Sequence, residues 1–129
     1  MYYISHYSII SQQLWEDNLE NTSNNELMEN VSKLKELVTY EKNAVVSKTL
    51  INLKTGTITL FSFDEGQGLS EHSAPFDALV YIVDGVGEIS IGGKPFKLSE
   101  GDAIIMPANK PHAVKATKKF KMLLVMIKS

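Results

Sequence analysis

The spacing of apolar residues along the chain changes near residue 44. Before this point, apolar residues recur at intervals of three and four, which is the spacing of a helix. After it, short segments rich in Val, Ile, Leu and Thr follow the two-residue repeat of strands. The pattern predicts a helical or irregular arm over residues 1–43 and a β-domain over residues 44–129.

The arm is rich in Asn, Ser and Glu and contains no Gly or Pro. Within it, the spacing of Leu27, Val31, Leu34 and Val38 predicts one helix over about residues 24–38. A Ser followed by a Glu at the N-terminal side of this segment has the form of a capping box, which favours a helix that begins there.

An alternative for the same segment is a single short turn that Ser32 caps and that runs through Val38. A weaker helix is predicted before it, over about residues 7–14. The arm is expected to cover one end of the β-domain, or alternatively to act as a lid or as an element exchanged in a dimer.

The β-domain is predicted to be antiparallel. Segments 44–53 and 57–64 flank Lys54, Thr55 and Gly56, and this arrangement predicts a hairpin. Further short strands follow, with turn signals every eight to twelve residues or so, as in all-β sandwiches and barrels. Hairpins are also predicted after Asp84 and after Ile91. A phosphate-binding loop would be followed by a helical pattern, and none follows these two turns, so they are not predicted to bind phosphate.

The composition and charge of the chain exclude several classes of function and kinds of site. The chain has 129 residues, a formal net charge of -2 and 13 basic residues, all of them lysine. Without arginine, a dedicated nucleic-acid or sugar-phosphate site is not expected. The absence of cysteine excludes disulfides, thiol nucleophiles and thiolate metal sites. No segment has the pattern of a signal peptide or the length of a membrane span, so the expected location is the cytoplasm, with no membrane partner.

Two segments, separated by 15 residues, carry the candidate chemistry. The first contains Gly66, His72, Ala74, Ala78 and Gly85, which are separated by five, one, three and six residues. The second contains Gly101, Pro107, Asn109, His112 and Ala116, which are separated by five, one, two and three residues. This spacing resembles the two cupin motifs, which have Gly, His, His, Glu, Gly and then Gly, Pro, Gly, His, Asn at these positions.

The resemblance covers about residues 44 to 128. It implies a small single-domain cupin of the conserved-barrel type, an all-β, antiparallel, double-stranded β-helix or jelly roll with the N-terminal helical arm attached. Cupin metal sites use three His and one Glu, and here Ala74 and Ala78 replace the second His and the Glu. His72 and His112 remain as candidate metal ligands, so no tightly bound cofactor is expected and a divalent transition metal would bind weakly.

A stronger metal site would need a further ligand, such as Gln67 or Asn109. Asp77 adjoins the position of the missing Glu, but neighbouring residues of a strand point to opposite faces. Asp77 is therefore predicted to point away from the pocket.

With the register that the cupin resemblance implies, the alternation of strand residues also predicts which side chains face the barrel interior. The expected ligand-binding residues are His72, His112, Ala74, Ala78, Val80, Ile82, Met106 and Val114. Two imidazoles in an otherwise apolar cavity predict binding of a small molecule, with the histidines at its polar end.

Two other functions stay open. One is a metal-dependent enzyme of the dioxygenase, isomerase or lyase type with a variant metal site. The other is a structural or regulatory dimer with a vestigial pocket. A homodimer is expected in any case, because Leu79, Tyr81 and Val83 are apolar on the strand face opposite the interior, and the last strand is apolar on both faces.

Overall fold

The computed structural model describes residues 2–4 and 27–128. Its strands are β1 (Tyr2–Ile4), β2 (Val45–Leu53), β3 (Gly56–Phe63), β4 (Gly68–His72), β5 (Asp77–Ile91), β6 (Lys94–Ser99), β7 (Ala103–Met106), β8 (His112–Lys115) and β9 (Phe120–Ile127). All strand pairs among them are antiparallel. The all-β, antiparallel prediction is confirmed.

The long strand β5 joins two sheets. Its first half pairs with β7 and β9, and β9 continues through β3 and β2 to β1, forming the first sheet. Its second half pairs with β6 and β8, and β8 pairs with β4, forming the second sheet. One buried cluster contains side chains from both sheets, so their inner faces enclose the core.

The first predicted hairpin is present, because Leu53 pairs with Gly56 across the turn. The hairpin after Ile91 is present as well. The one predicted after Asp84 is wrong: β5 runs on through this position, and Gly85, with a φ of 77°, lies where the strand passes from the first sheet to the second. A Cβ on this glycine would lie 2.5 Å from the backbone oxygen of Lys119, so the bend requires a residue without a side chain.

The inward side chains of the first sheet form rows across its strands. The first row, at the end with the β2–β3 turn, is Asn52, Thr57, Met126, Ala78 and Met106. The second row is Thr49, Thr59, Leu124, Val80 and Ile104. Farther along, Phe63 stacks between Phe61 and Phe120, with ring centroids 5.8 and 4.8 Å apart. The barrel interior is therefore aromatic at one end and partly polar at the other.

The predicted helix over residues 24–38 is wrong for the described residues, 27–38. They form a single 3-10 turn, Leu34–Glu36, which Lys33 rather than Ser32 precedes, without a side-chain cap. Val31 is fully exposed, so the helical stripe is not buried as one face. Residues 24–26 and the weaker helix predicted over residues 7–14 lie outside the described part of the chain.

The apolar residues of this segment pack irregularly against the outer face of the first sheet. Val38 is buried there, and Leu27, Leu34 and Leu37 are partly buried beside it. Tertiary contacts override the helical preference of this segment, because its apolar side chains pack on the outer face of the sheet in a non-helical conformation. The described part of the arm before β2 thus covers the outside of a sheet, whereas the arm was predicted to cover an end of the barrel; residues 5–26 lie outside the described part.

Polar contacts hold this segment in place. The Tyr40 hydroxyl donates to Asp84 Oδ2 at 2.6 Å, and the buried Lys121 donates from Nζ to the backbone oxygen of Lys35 at 2.5 Å. Lys121 also lies 4.8 Å from the centre of the Tyr40 ring. Burial lowers the pKa of Lys121, an effect that the nearby Asp84 carboxylate opposes. Within residues 2–4 and 27–128, no helix is long and apolar enough to cross a membrane.

Candidate functional site

The two histidines singled out by the motifs lie side by side. His72 is the last residue of β4, His112 is the first residue of β8, and the two are direct partners in the antiparallel register. Their ring centroids are 4.5 Å apart and the rings are inclined at 71°, an edge-to-face arrangement. His112 shares its strand face with the buried Val114, so the pair belongs to the inner face of the second sheet.

Backbone carbonyls determine which nitrogen of each imidazole carries the proton. Nδ1 of His72 lies 3.2 Å from the Ser70 oxygen, and Nδ1 of His112 lies 3.1 Å from the Lys110 oxygen. A carbonyl oxygen can only accept, so each Nδ1 donates its proton. In the neutral ring the lone pair is then on Nε2, the atom that can accept a hydrogen bond or bind a metal.

Both imidazoles are neutral at pH 7. Burial lowers the pKa of His72 to about 4; the hydrogen bond to the Ser70 carbonyl opposes this shift, and the neighbouring His112 adds to it. Burial likewise lowers the pKa of His112, against the effect of the Lys110 carbonyl. Two neutral rings beside each other are therefore suited to accepting hydrogen bonds rather than to attracting an anion.

The other predicted site residues form the apolar surroundings of this end of the barrel. Val80, Ile82, Met106 and Val114 are completely or almost completely buried in the main core cluster, together with Ala78. Ala74 is buried as well, in the segment that links β4 to β5. Ala78 and Met106 are neighbours in the first row. Two connections between the sheets lie next to them: the one from β4 to β5 and the one from β7 to β8.

The loop before His112 is fastened to the segment after His72. The backbone N–H of Asn109 donates to the backbone oxygen of Ala74 at 2.7 Å, and the backbone N–H of Ala108 donates to Asp77 Oδ1 at 2.8 Å. Asn109 has a φ of 66°, which allows the tight loop. Asp77 is therefore an exposed residue that binds the loop.

The metal-ligand pattern of the two motifs does not form a complete site. In the part of the chain that the structure describes, no group of three or more His, Cys, Asp and Glu residues could hold a metal ion. Gln67 precedes β4 whereas His72 ends it, so about 16 Å of strand separates them. The exposed Asn109 belongs to the fastened loop. Two imidazoles alone do not fit a tightly bound metal, because catalytic zinc sites use three protein ligands.

Sequence analysis missed two polar residues at the same end of the barrel. Thr57 and Thr59 lie in the first and second rows, with side chains 2% and 0% exposed. Their hydroxyl oxygens have no hydrogen-bond partner among the described residues. The alternation of β3 places these positions on the same face as Phe61 and Phe63, but threonine is common in strands, so the sequence alone does not single them out.

Two of the cavities that adjoin the first sheet are lined by described residues. One, of about 330 Å³, lies between its outer face and the segment before β2, and is lined by Leu27, Met28, Leu34, Leu50, Ile51, Ile58 and Leu123. The other, of about 270 Å³, lies at the β2–β3 turn, where Thr57 and Met126 of the first row contribute to its lining. The lining of the second cavity also includes Ile51, Ile58 and Val125 of the outer face, so residues from both faces of the sheet contribute to it.

Comparison with known proteins identifies the family. A family model described as the cupin domain, Cupin_2, matches residues 59–128. The chain is a cupin. A solved structure of a conserved protein of unknown function from Streptococcus pyogenes is 39% identical, covers 84% of this chain and 96% of its own, and has a TM-score of 0.79.

Two further solved structures support the assignment of the chain to the cupin family. A cupin 2 conserved barrel domain protein from Leptotrichia buccalis is 43% identical over 73% of this chain and 46% of its own, with a TM-score of 0.71. A cupin superfamily protein from Desulfitobacterium hafniense is 29% identical over 85% of this chain and 97% of its own, with a TM-score of 0.74. No curated protein matches the chain. The resemblance seen in the two motifs is thus confirmed.

Proposed function

We propose that this cupin binds a small molecule at the polar end of its barrel, with His72 and His112 as hydrogen-bonding groups. The observation that carries the proposal is the edge-to-face pair of imidazoles, 4.5 Å apart on an inner face. Each Nδ1 is engaged with a backbone oxygen, so both Nε2 atoms act as acceptors. Apolar side chains surround the pair, an arrangement typical of ligand pockets.

The alternative is an enzyme with a variant divalent-metal site. Nδ1 donation to carbonyl oxygens is also the arrangement that orients histidines in metal sites, which favours this alternative. The ligand set argues against it, because Ala74 and Ala78 supply only methyl groups where the cupin motif has a second His and a Glu. Binding without a resident metal requires no further ligand and is the better supported function.

Binding is tested by calorimetry and melting temperature with a panel of small alcohols, amides, carboxylates and amines. The variants are His72→Phe and His112→Phe, which keep a ring of similar shape but remove the nitrogens. His6→Phe serves as the matched control, since it applies the same change to the third histidine of the chain. We expect at least one panel member to bind the wild type and the control, with about ten-fold weaker binding to each site variant.

Absence of binding by every panel member would contradict the proposal and favour a structural or regulatory dimer with a vestigial pocket. Turnover of a panel member that depends on an added divalent metal would favour the enzyme instead. Equal binding by the site variants and the control would place the ligand away from the histidines and would also contradict the proposal.

We further propose that a second copy of the chain covers the part of the outer face of the first sheet that the segment before β2 leaves exposed. One register row on this face is apolar across five strands: Ile51, Ile58, Val125, Leu79 and Ile105. Ile105 is 61% exposed, and Leu79 and Ile51 are each 37% exposed. A continuous apolar row on a sheet is typical of an interface between subunits.

Light scattering after size-exclusion chromatography tests the dimer. Ile105→Glu introduces a charge into the exposed row, and Val31→Glu introduces the same charge at an exposed position outside it. We expect dimers for the wild type and Val31→Glu, and monomers for Ile105→Glu, at micromolar concentration. A monomeric wild type would contradict the proposed interface.

A further inference from the structure

Two threonine hydroxyls are buried in the barrel without a hydrogen-bond partner among the described residues. Thr57 and Thr59 are 2% and 0% exposed, and neither Oγ1 atom is bonded. Burying a hydroxyl without a partner costs free energy, whereas a valine of the same shape would not carry this cost. Ser62, in the same strand but on the outer face, is equally buried and donates to the Thr39 oxygen at 2.7 Å. Within β3, the buried hydroxyls of the inner face therefore lack a partner among the described residues, whereas the buried hydroxyl of the outer face has one.

The threonines and the histidines lie at the same end of the barrel. Thr57 occupies the first row with Ala78, the second residue of β5, and Met106, the last residue of β7. The connections from those residues lead directly to the end of β4 at His72 and the start of β8 at His112. Because stacked sheets lie about 10 Å apart, a small molecule bound between these side chains would contact both walls.

Among the described residues, no charged side chain is buried on the inner face at this end of the barrel. The one buried charged residue of residues 27–128 is Lys121, which lies on the outer face beside Tyr40. The remaining polar side chains in the first two rows are Thr49 and Asn52, which are also uncharged. A carboxylate or an ammonium ion would have to be desolvated here without a counter-charge, which is costly.

We propose that Thr57 and Thr59 form the second polar wall of the binding site, opposite the histidines, and that the ligand is an uncharged molecule with hydroxyl or amide groups. The inference rests on the proposed function and adds the chemical class of the ligand. Hydroxyl or amide N–H groups of the ligand donate to the imidazole Nε2 atoms. Its oxygens accept from the threonine hydroxyls, which supplies the partners that these buried groups lack.

The test uses matched pairs that differ mainly in charge: lactamide and lactate, glycerol and glycerate, and glucose and glucuronate. Affinities are measured by calorimetry for the wild type, Thr57→Val, Thr59→Val and Ser62→Ala. We expect a neutral member to bind at least about ten-fold more tightly than its carboxylate partner, and each valine variant to lose about ten-fold in affinity. Ser62→Ala should bind as the wild type does.

Melting temperature provides a second readout that separates binding from structural support. Thr57→Val and Thr59→Val should melt at the same temperature as the wild type or a few degrees higher without ligand, because they remove an unpaired buried hydroxyl. Ser62→Ala should melt lower, since it leaves the Thr39 oxygen without its donor. Valine variants that melt clearly lower would assign the threonines a structural role and overturn the inference.

The outcomes distinguish this inference from the proposed function. Binding that depends on the histidines but is unchanged in both valine variants overturns the second wall and leaves the proposed function intact. Tighter binding of the carboxylate member of a pair overturns the assignment to uncharged ligands. If no neutral or anionic member binds the wild type, the proposed function and this inference fail together.

Discussion

The imidazoles of His72 and His112 meet edge to face across two antiparallel strands, with their centroids 4.5 Å apart. Each ring is oriented by the carbonyl oxygen two residues before it, so the same local geometry is repeated on both strands. The repetition directs two neutral acceptors into one region of the barrel interior. This pair is what remains of the metal-ligand pattern in the cupin motifs.

The stability of the protein should depend on pH through these histidines. Unfolded histidines gain protons below about pH 6.5, whereas burial lowers the pKa of folded His72 to about 4. Between these values the unfolded chain binds more protons, so the free energy of unfolding falls as the pH falls. We expect a loss of about 1 to 3 kcal/mol from pH 7 to pH 4.5, after allowing for solvent screening.

Denaturant unfolding at several pH values measures this loss. In the double variant His72→Phe and His112→Phe, the decrease over the same range should be smaller by that amount, because carboxylates contribute equally to both proteins. Identical pH dependence in the variant and the wild type would show that the histidines are not buried as neutral rings.

Transition metal should be present well below one equivalent per chain. The described residues offer two imidazoles and no third His, Cys, Asp or Glu near them, which is too few ligands for tight binding. Elemental analysis of protein purified without a polyhistidine tag or a chelator measures the content. One equivalent that is lost in the double phenylalanine variant would contradict this expectation and revive the metal-dependent enzyme.

Replacing Gly85 by alanine should destabilise the fold strongly. The new Cβ would lie 2.5 Å from the Lys119 backbone oxygen, at a φ of 77°. Gly93→Ala is the matched control, since Gly93 has a φ of 82° but no atom within 4 Å of the added Cβ. We expect a loss of about 3 kcal/mol or more for Gly85→Ala and about 1 kcal/mol for Gly93→Ala in chemical denaturation. Equal losses would mean that the contact with Lys119 relaxes without cost.

Removing the Tyr40 hydroxyl should loosen the segment before β2. This group donates to the Asp84 carboxylate at 2.6 Å, a short hydrogen bond to a charged acceptor. Tyr40→Phe should lower the free energy of unfolding by about 1 to 2 kcal/mol. Tyr81→Phe changes an exposed tyrosine on the outer sheet face and should have almost no effect. If both variants lost the same free energy of unfolding, the loss in Tyr40→Phe could not be attributed to the hydrogen bond with Asp84.

Much of the β-domain could be predicted because each strand has one buried face. Alternation assigned Val80 and Ile82 to the interior, and motif spacing brought the two histidines to one place. The turn predicted after Asp84 failed because a glycine that bends a strand and a glycine that ends one look alike in sequence. What distinguishes them is the register of β9 along β5, a contact between residues distant in the chain.

The failures before β2 and at the site have related causes. Leu27 and Val38 are spaced as in a helix, but their burial depends on a sheet face formed by later residues. Thr57 and Thr59 have ordinary strand character, and their importance appears only when the opposite wall and the missing hydrogen bonds are known. Local pattern predicts which face a residue occupies and not which residues meet it there.

The most direct test of the account is a titration of the histidine ring nitrogens, observed by long-range ¹H–¹⁵N NMR. The chain has 3 histidines, so the spectra of His6→Phe, His72→Phe and His112→Phe assign the signals of one ring each. Before ligand is added, His72 and His112 should show the neutral tautomer with the proton on Nδ1. Addition of lactamide, glycerol or glucose should shift the Nε2 signals of these two rings and leave His6 unchanged. Nε2 signals that do not respond to any of the three compounds would contradict a polar ligand site at this end of the barrel.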